Sequence, residues 1–356
     1  MCVIYDVLLL CSRREEREVD VTNGYDPKVT PWQLDDADFP RGGDPAERLT
    51  YLLRYAVLAP SSHNTQPWSF AIDEDEIRIY ADTSRWLEVA DADQRELHVS
   101  IGCALENLLV AAEYFGYAHQ VAYLPEPEED DLIAVVALES GGEPASFRSR
   151  ELFDAIPVRR TNHNPYDGRP MSVENRARLE GCCVEEDVLL HLTDDPQIKR
   201  TVDELIVRAD AMQFADPAWR AELGYWMGQG VFGTPWLMSK ISQLAVSYLN
   251  MGRGTGKKDS ELLMSAPLLA VISTPKDDRR SQVRAGQVFE RVALMATALG
   301  LGIHPMSQIL EIPELKGQVA QLIPTPDVVP QHTFRMGYAQ GQEEHTPRRA
   351  LADVVR

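Results

Sequence analysis

The sequence predicts an α+β fold of two tandem halves, each a sheet with surrounding helices, which pack together as an internal pseudo-dimer. The chain has 356 residues, 44% of them hydrophobic, and a length above about 250 residues favours two domains or halves over one. Helical and strand patterns alternate in both halves, and one helical pattern occurs twice. An α/β arrangement stays open, because both classes place helices around a sheet.

Residues 1–43 are predicted to be an N-terminal arm. The apolar stretch 1–11 contains Asp6, has no basic residues before it and lacks a small-residue cleavage site. It therefore indicates a tail or an edge strand rather than a signal peptide. Residues 12–43 are charged and rich in turn formers, which is typical of an extended segment. Order is expected to begin at Asp44.

Residues 44–143 are predicted to form the first half. The Asp-Pro-Ala-Glu sequence at 44–47 supplies an N-cap, a first-turn proline and an acidic third residue, a combination typical of a helix start. Pro60 is expected to end this helix. The apolar patterns that follow predict strands at 68–72, 77–79 and 132–138. The glycine-containing, acidic residues 139–144 are predicted to link the two halves.

A helical segment occurs twice, at a constant separation of 184 residues. In the first and second copies the matching residues are Gly102 and Gly286, Glu106 and Glu290, Ala112 and Ala296, and Gly116 and Gly300. Both copies are apolar around most of the helix, and a helix of that kind is buried on all sides. The alternative is two unrelated buried helices with chance matches. A duplication predicts a pseudo-two-fold axis, with these helices at the interface between the halves.

Residues 144–356 are predicted to form the second half. Strands are predicted at 268–273 and 334–338, on either side of the second repeated helix, and a further helix at 313–322. An insertion in this half carries an aromatic group that is either core or a lid over a ligand: Tyr225, Trp226, Phe232 and Trp236.

The charge and cysteine content exclude several classes of protein. With 35 basic and 55 acidic side chains the formal charge is −20, which opposes binding to nucleic acid or to an anionic membrane surface. No apolar run approaches the ~18 residues of a membrane span. The five cysteines are an odd set without C-x-x-C spacing. A zinc site is therefore not predicted, and a reduced, cytoplasmic setting fits best.

The most specific local signal is the loop at residues 59–68, Ala-Pro-Ser-Ser-His-Asn-Thr-Gln-Pro-Trp. Its hydroxyl, imidazole and amide groups suit a polar cradle for a ligand, and a surface turn without a ligand is the plain alternative. A hydrolase is disfavoured because Ser62 and His63 are neighbours without a Gly-x-Ser-x-Gly elbow or an acid partner. Metal binding by His63 and His163 is disfavoured because no further ligand stands at the required spacing.

This loop resembles the A-P-S-x-x-N-x-Q-P-W signature of the nitroreductase superfamily of FMN-dependent oxidoreductases. Its longer form resembles the Acg-type branch of fused, two-half NAD(P)H nitroreductases and FMN-binding proteins. The resemblance extends over much of residues 45–352 and includes, in order, the segments 100–116, 159–162, 286–300, 335–338 and 346–349.

The resemblance implies one FMN held between the halves. In the family, an R-R-S/T segment and a late basic pair from one subunit combine with the P-S-S-x-N loop of the other. The matching residues of this chain, which we expect to contact FMN, are Pro60, Ser61, Ser62, Asn64, Arg159, Arg160, Thr161, Asn162, Arg348 and Arg349. Arginines suit the phosphate, and the neutral side chains suit the ribityl hydroxyls and the ring edge. The reciprocal set is missing, so a single FMN per chain is expected.

The resemblance also implies that the flavin carries the chemistry, so that no catalytic side chain and no metal are expected. Hydride from NAD(P)H would pass through FMN to a nitroaromatic or quinone-type acceptor in a ping-pong cycle. Storage or sequestration of FMN beneath the aromatic insertion is the alternative. His163 is expected in a turn, and Lys257 and Lys258 either near the flavin or in an exposed loop. A monomer with an internal pseudo-two-fold is expected, with further dimerisation left open.

Overall fold

A computed structural model of the chain describes residues 25–126, 128–143, 145–339 and 344–356, except for the side chain of Arg253. The tail or edge strand predicted at residues 1–11 lies outside the described residues.

Two four-stranded sheets of the same topology make up the body of the protein. The strands of the first sheet are β1 (Trp68–Asp73), β2 (Glu76–Ala81), β3 (Tyr117–Tyr123) and β4 (Leu132–Ser140). Those of the second are β5 (Leu189–Thr193), β6 (Leu268–Thr274), β7 (Gly302–Pro305) and β8 (Val329–Gly337). The strand order is β1-β2-β4-β3 in one sheet and β5-β6-β8-β7 in the other. All neighbouring strands within the two sheets are antiparallel, which decides for α+β over α/β.

The helices surround the two sheets and divide them from each other. Within the described residues they are α1 (Pro45–Ala56), α2 (Arg95–Tyr114), α3 (Arg150–Ala155), α4 (Val173–Glu180), α5 (Pro196–Ala215), α6 (Pro217–Gly228), α7 (Trp236–Tyr248), α8 (Gly252–Ser265), α9 (Arg279–Ala298) and α10 (Pro313–Ala320). In each half two strands precede one long helix, α2 or α9, and two strands follow it. The two halves therefore repeat one unit, as predicted.

The central helices α2 and α9 cross at two glycines. A Cβ atom on Gly102 would overlap the carbonyl oxygen of Val283, and one on Gly286 would overlap that of Val99. The glycine contact is therefore reciprocal at the 184-residue separation. A further pair at the same separation also meets, His98 Nδ1 with Gln282 Oε1 at 2.9 Å. Glycine is needed here because only it allows the two backbones to approach so closely. The predicted pseudo-dimer, with the repeated helices at its interface, is confirmed.

The helix predicted at the start of the first half is confirmed as α1. The carboxylate of Asp44 accepts a hydrogen bond from the backbone N–H of Glu47, and the side chain of Glu47 accepts one from the N–H of Asp44. The helix ends at Ala56, four residues before Pro60. The strands predicted at 68–72, 77–79, 132–138 and 268–273 are confirmed with longer bounds, and the helix predicted at 313–322 is α10.

Order begins before Asp44, contrary to the expectation of an extended arm. Residues 25–43 contain two short 3-10 turns and bury Trp32 and Phe39. Phe39 stacks on Phe115 of the first half with ring centroids 4.1 Å apart. The sequence concealed this because two isolated aromatic residues show no periodicity, although each buries a large apolar area.

Two further boundaries differ from the predictions. Glu139 and Ser140, predicted as the start of a linker, are the last residues of β4 and pair with β3. The last strand begins at Val329, not at Phe334, because polar residues of β8 are buried and hide the apolar pattern. The insertion of the second half consists of α5 to α8 and joins β5 to β6, where the first half has only a turn between β1 and β2.

The C-terminal tail crosses from the second half back to the first. The N–H of Phe70 donates to Val354 O, and the N–H of Arg356 donates to Phe70 O, each at 2.7 Å. The tail thereby covers the edge of β1 and carries residues 344–348 past the interface between the halves. No helix in the described ranges is long and apolar enough to cross a membrane.

Candidate functional site

A cavity of about 1430 Å³, including its open mouth, lies between the two halves. The first half contributes residues 60–64 and one face of α2, and the C-terminal tail contributes residues 344–346 and Arg348. The second half contributes the segment around residues 159–163, the residues that follow β7, and side chains of the inserted helices. The cavity is thus composite, and neither half alone encloses it.

The loop at residues 59–68 has a strained backbone. His63, Asn64 and Gln66 have φ angles of 48°, 53° and 54°, a left-handed conformation that costs non-glycine residues roughly 1–3 kcal/mol each. Two hydrogen bonds hold it: Gln66 N–H donates to Ser61 Oγ at 2.9 Å, and Ser62 N–H donates to Ser100 Oγ at 3.2 Å. Strain of this kind persists where the surroundings fix it, and it clusters at ligand sites.

Asn64 joins this loop to the second half. Its Nδ2 donates to Val231 O at 2.6 Å and to Pro347 O at 3.0 Å, and its Oδ1 accepts from Arg348 at 2.9 Å. The amide is therefore engaged within the protein. Asn64 lines the cavity, but its structural task is to fix the loop against the C-terminal tail.

A cluster of arginines lies at the wall formed by this loop and the tail. Arg159 and Arg348 are each only 3% exposed, and both donate to the carbonyl oxygen of Leu58, at 3.2 and 3.1 Å. The guanidinium of Arg348 also lies over the ring of Trp32, 4.6 Å from its centroid. Arg160 lines the same wall. Hydrogen bonds to neutral carbonyls hold these groups in place without neutralising their charge.

The arginine cluster has too little negative charge around it. Glu290 is its buried carboxylate, with Oε1 3.3 Å from Arg159 Nε, yet burial raises the pKa of Glu290 to about 7. Burial, and then the charge of Arg159, hold the pKa of Arg348 well below its ordinary value. The Nε atoms of all three arginines are buried and donate no hydrogen bond. Buried cations need paired anions, so an anionic ligand fits this wall.

The structure brings most of the predicted site residues together. Those that line the cavity are Pro60, Ser61, Ser62, Asn64, Arg159, Arg160, Thr161 and Arg348. The backbone of Thr161 is anchored by a parallel bridge to Ile303 in β7. Ser61, Ser62 and Thr161 thus lie next to the arginines on a fixed backbone.

Two predicted residues are not among the side chains that line the cavity. The Oδ1 of Asn162 accepts a hydrogen bond from Asn164 N–H at 2.9 Å, which stabilises the turn after the arginine pair. Arg349 pairs with Asp82 at 3.1 Å and donates to the carbonyl oxygens of Gln66 and Trp68. Arg349 therefore anchors the tail to the first half, on the side away from Arg348.

The residues whose roles the sequence left undecided lie in different parts of the structure. His163 lines the cavity and packs on His304 with ring centroids 4.4 Å apart, and burial lowers its pKa to about 3. Lys257 is exposed and 3.8 Å from Glu261.

In the aromatic group only Phe232 lines the cavity. Trp226 belongs to a buried cluster, whereas Tyr225 and Trp236 are 52% and 73% exposed.

Sequence reasoning missed the wall formed by the inserted helices. Its polar side chains are Asp210 and Gln213 of α5, Asp259 of α8, and Gln308 and Glu311 after β7. A signal was available in α5, because Asp210 and Gln213 continue the helical spacing of the buried Val202 and Ile206. Polar residues on a buried helix face are uncommon unless they are paired or functional. Within the described ranges, no three His, Cys, Asp or Glu side chains are grouped so as to hold a metal ion.

The position related by the repeat to the arginine cluster holds a network of buried ion pairs. Glu106, which corresponds to Glu290, pairs with Arg148 and Arg291, each at 2.8 Å. Gln287, which corresponds to the cavity residue Cys103, accepts a hydrogen bond from the hydroxyl of Tyr123 at 2.6 Å. This ion-pair network satisfies its own charges, in contrast to the arginine cluster on the other side of the axis.

The chain is similar in sequence to bacterial proteins over most of its length. It is 29% identical over 322 residues to "Putative NAD(P)H nitroreductase Rv3131" of Mycobacterium tuberculosis, covering 87% of this chain and 91% of that protein. It is 22% identical over 338 residues to "Probable NAD(P)H nitroreductase PigM" of Serratia, covering 87% of this chain and 93% of that one. No family model matches the chain.

The likeness to solved structures is weaker. The FMN-dependent nitroreductase NfnB from Mycobacterium smegmatis, solved in complex with NADPH, is 14% identical and aligns with a TM-score of 0.39. The alignment covers 58% of this chain and 97% of that one. The sequence relatives, in contrast, match the chain across both halves. The resemblance to nitroreductases that the loop at residues 59–68 indicated is therefore confirmed.

Proposed function

We propose that the chain binds one FMN in the composite cavity and uses it to transfer hydride from NAD(P)H to a nitroaromatic or quinone-type acceptor. The observation that carries this proposal is the arginine cluster. Arg159, Arg160 and Arg348 line one wall of the cavity, and burial raises the pKa of Glu290, the carboxylate beside Arg159, to about 7. A phosphate dianion supplies the negative charge that this wall lacks, and pairs of its oxygens can accept hydrogen bonds from the planar guanidiniums.

The rest of the cavity suits the other parts of FMN. Ser61, Ser62 and Thr161 lie beside the arginines and offer hydroxyl groups to the ribityl chain. Val99 of α2 and Phe289 of α9 line the cavity from the two central helices, and apolar side chains of this kind suit the faces of the ring system. Asn162 and Arg349 would support the site through backbone position rather than contact.

FMN, when bound, supplies the group that takes hydride from NAD(P)H and then gives two electrons to the acceptor, so that the two substrates react in turn. The residues of the chain then have to bind, orient and exclude water. His63, His163 and His304 line the cavity, and burial lowers the pKa of each. They are therefore neutral near pH 7, and they add no charge that would repel the cations of the arginine wall or attract bulk anions.

Sequestration of FMN is the second candidate. It is favoured by the inserted helices, because Trp219 and Phe232 line the cavity and could cover a bound ring on one side. Such a cover would keep NAD(P)H away from the flavin. The exposed positions of Tyr225 and Trp236 leave less of the aromatic insertion for this task than the sequence predicted.

One experiment separates these functions. The protein is loaded with FMN, freed of excess flavin, and mixed anaerobically with NADH or NADPH while the absorbance of the oxidised flavin is followed. We expect rapid bleaching, with recovery when a quinone is added. A protein that keeps FMN but is not bleached supports sequestration. A protein that does not retain FMN contradicts both candidates.

We further propose that residues 44–143 and 144–356 are the two halves and that the functional unit is a monomer with an internal pseudo-two-fold. The reciprocal crossing of α2 and α9 at Gly102 and Gly286 supports this. Light scattering during size-exclusion chromatography tests the monomer directly, and a mass of twice the chain's 39.9 kDa would contradict it.

A further inference from the structure

Two buried carboxylates lie in the cavity wall formed by the inserted helices. Asp210 of α5 and Asp259 of α8 line the cavity and are each 3% exposed. The amide nitrogen of Gln308 lies between them, 3.2 Å from Asp259 Oδ2 and 3.5 Å from Asp210 Oδ1. One amide group thus bridges both side chains.

The bridge leaves one oxygen of each carboxylate without a hydrogen-bond partner. Asp210 Oδ2 and Asp259 Oδ1 are buried and unpartnered. Leaving a buried acceptor unsatisfied is unfavourable, and more so when it is charged. The arginines of the cluster do not relieve this cost at Asp210, since none of them is among the charges that act on it. Among the described residues, no ion pair therefore neutralises Asp210 or Asp259.

Aromatic side chains also line the cavity. Trp219 of α6 is 7% exposed and lines the cavity, as does Phe232. Phe232 also packs edge-on against His63, with ring centroids 6.4 Å apart. Aromatic faces combined with buried carboxylates are the surroundings in which an organic cation is bound through its charge and its ring.

We propose that this wall is the acceptor subsite and that it selects an aromatic acceptor carrying a positively charged nitrogen. The inference rests on the proposed function, because it takes the arginine wall to hold the phosphate of FMN. The two walls then have separate tasks: the arginines hold the anionic end of the cofactor, and Asp210 with Asp259 holds the cationic group of the acceptor.

The charge of the subsite depends on pH. Burial, and then the charge of Asp259, raise the pKa of Asp210 to about 7. The subsite is therefore less negative below pH 7 and more negative above it, so its preference for a cation rises with pH. The described residues that act on Asp210 from neighbouring elements are Asp259 of α8, whose charge raises the pKa, and Gln308 after β7, whose hydrogen bond lowers it. Burial also raises the pKa of Glu311 far above its ordinary range, which reduces the negative charge that Glu311 adds.

The test compares two ligands of the same shape. The (4-nitrobenzyl)trimethylammonium ion and its carbon isostere 1-(2,2-dimethylpropyl)-4-nitrobenzene differ only in charge. Their dissociation constants are measured by calorimetry with oxidised, FMN-loaded protein in the absence of NAD(P)H. We expect the cation to bind at least about tenfold more tightly at pH 8, and its advantage to shrink at pH 6. Equal affinities at pH 8 would overturn the inference.

Variants assign the effect to the carboxylates. Asp210→Asn and Asp259→Asn should each lower the preference for the cation at least about fivefold, and Asp210→Asn should also remove its pH dependence. Glu261→Gln, an exposed position on the same helix as Asp259, should leave the preference unchanged. If one variant does not fold, the other carries the test. A preference that survives both changes overturns the inference.

The readout keeps this inference separate from the proposed function. Binding needs no turnover, so a protein that sequesters FMN without reacting can still be measured. If the chain does not retain FMN, the same titration of the flavin-free protein shows whether the carboxylate wall prefers the cation. In that outcome the proposed function is wrong, and so is the role of the wall as an acceptor subsite. The titration of the flavin-free protein still decides whether the wall binds a cation.

Discussion

Arg348 is the residue on which FMN binding should depend most. It is 3% exposed and lies over Trp32. Burial, and then the charge of Arg159, lower its pKa, whereas Glu290 raises it. Replacement by methionine keeps the apolar stem and removes the guanidinium. A hydrogen bond to a charged group contributes about 1.5–3 kcal/mol, so we expect Arg348→Met to raise the Kd for FMN roughly 10- to 100-fold, measured by quenching of flavin fluorescence.

The matched control is Arg279→Met. Arg279 pairs with Asp130 on the surface and does not line the cavity, so the Kd for FMN should stay within about twofold of the native value. Equal losses of affinity in both variants would indicate a general charge effect rather than a phosphate contact. Circular dichroism of both variants checks that the fold is kept, because Arg348 also donates to Asn64 and Leu58.

Glu290 should make FMN binding depend on pH. Burial raises its pKa to about 7, so the carboxyl is mostly neutral below pH 7 and negative above it. The charged form competes with the phosphate for Arg159. We expect the affinity for FMN to fall by about 1 kcal/mol, roughly fivefold, between pH 6.5 and 8.5. The phosphate opposes this trend only weakly, since its second pKa is about 6.

The variant Glu290→Gln provides the comparison within the same titration. At pH 8.5 it should bind FMN more tightly than the native protein, because the competing charge is gone. At pH 6.5 the two proteins should differ little, because most of the native carboxyl is already neutral. An affinity for FMN that rises with pH in the native protein would contradict this account of Glu290.

The crossing of the two central helices should be the most sensitive packing point among the elements. A methyl group at Gly102 would overlap the carbonyl oxygen of Val283, so α2 and α9 would have to move apart. Overpacking of a core costs about 1–3 kcal/mol or more. We expect Gly102→Ala to lower the free energy of unfolding by at least about 2 kcal/mol, measured by urea denaturation.

Gly317 gives the opposite result with the same substitution. It lies in α10 and is exposed, and a Cβ there meets no atom within 4 Å. Alanine in a helix is favoured over glycine by about 1 kcal/mol, so Gly317→Ala should raise the free energy of unfolding by that amount. If Gly102→Ala were equally harmless, the close contact of the helices would not be what holds the halves together.

How far the sequence predicts these elements depends on how their apolar residues are spaced. The cap at Asp44 and the repeat at Gly102 and Gly286 are local or periodic signals, and both were confirmed. The inserted helices α5 to α8 were foreseen only as an insertion, because their polar side chains face a cavity that no short-range pattern reveals. The burial of Trp32 and Phe39 is likewise a long-range contact without periodicity.

The candidate site, too, could be predicted only in part from the sequence. The R-R and P-S-S-x-N segments predicted which parts of the chain meet, and the cavity lies between them. The pattern could not tell Arg348 from its neighbour Arg349, since adjacent residues in an extended tail point to opposite sides. Nor could it predict that Asn64 donates hydrogen bonds to Val231 and Pro347, because those residues are far from Asn64 in the sequence.

At the scale of the whole molecule, the two sides of the pseudo-two-fold differ in charge balance. On one side Arg159, Arg160 and Arg348 line the cavity and Arg159 lies 3.3 Å from Glu290, whereas on the other Glu106 pairs with Arg148 and Arg291. Arg291 also pairs with Glu185 at 2.9 Å. The second arrangement is closed, because its cations already have carboxylate partners, and a further anion there would have to break buried ion pairs.

This asymmetry predicts one FMN per chain. Titration of flavin-free protein with FMN, followed by flavin fluorescence, should reach its end point at one equivalent, and an end point near two would contradict the assignment. The double substitution Arg159→Met and Arg160→Met distinguishes the two sides. It should abolish tight binding altogether, because the network around Glu106 offers no second place for the phosphate. A residual equivalent of bound FMN in that variant would show that the repeat-related position also accepts flavin, and that the two halves are more alike in function than their charges indicate.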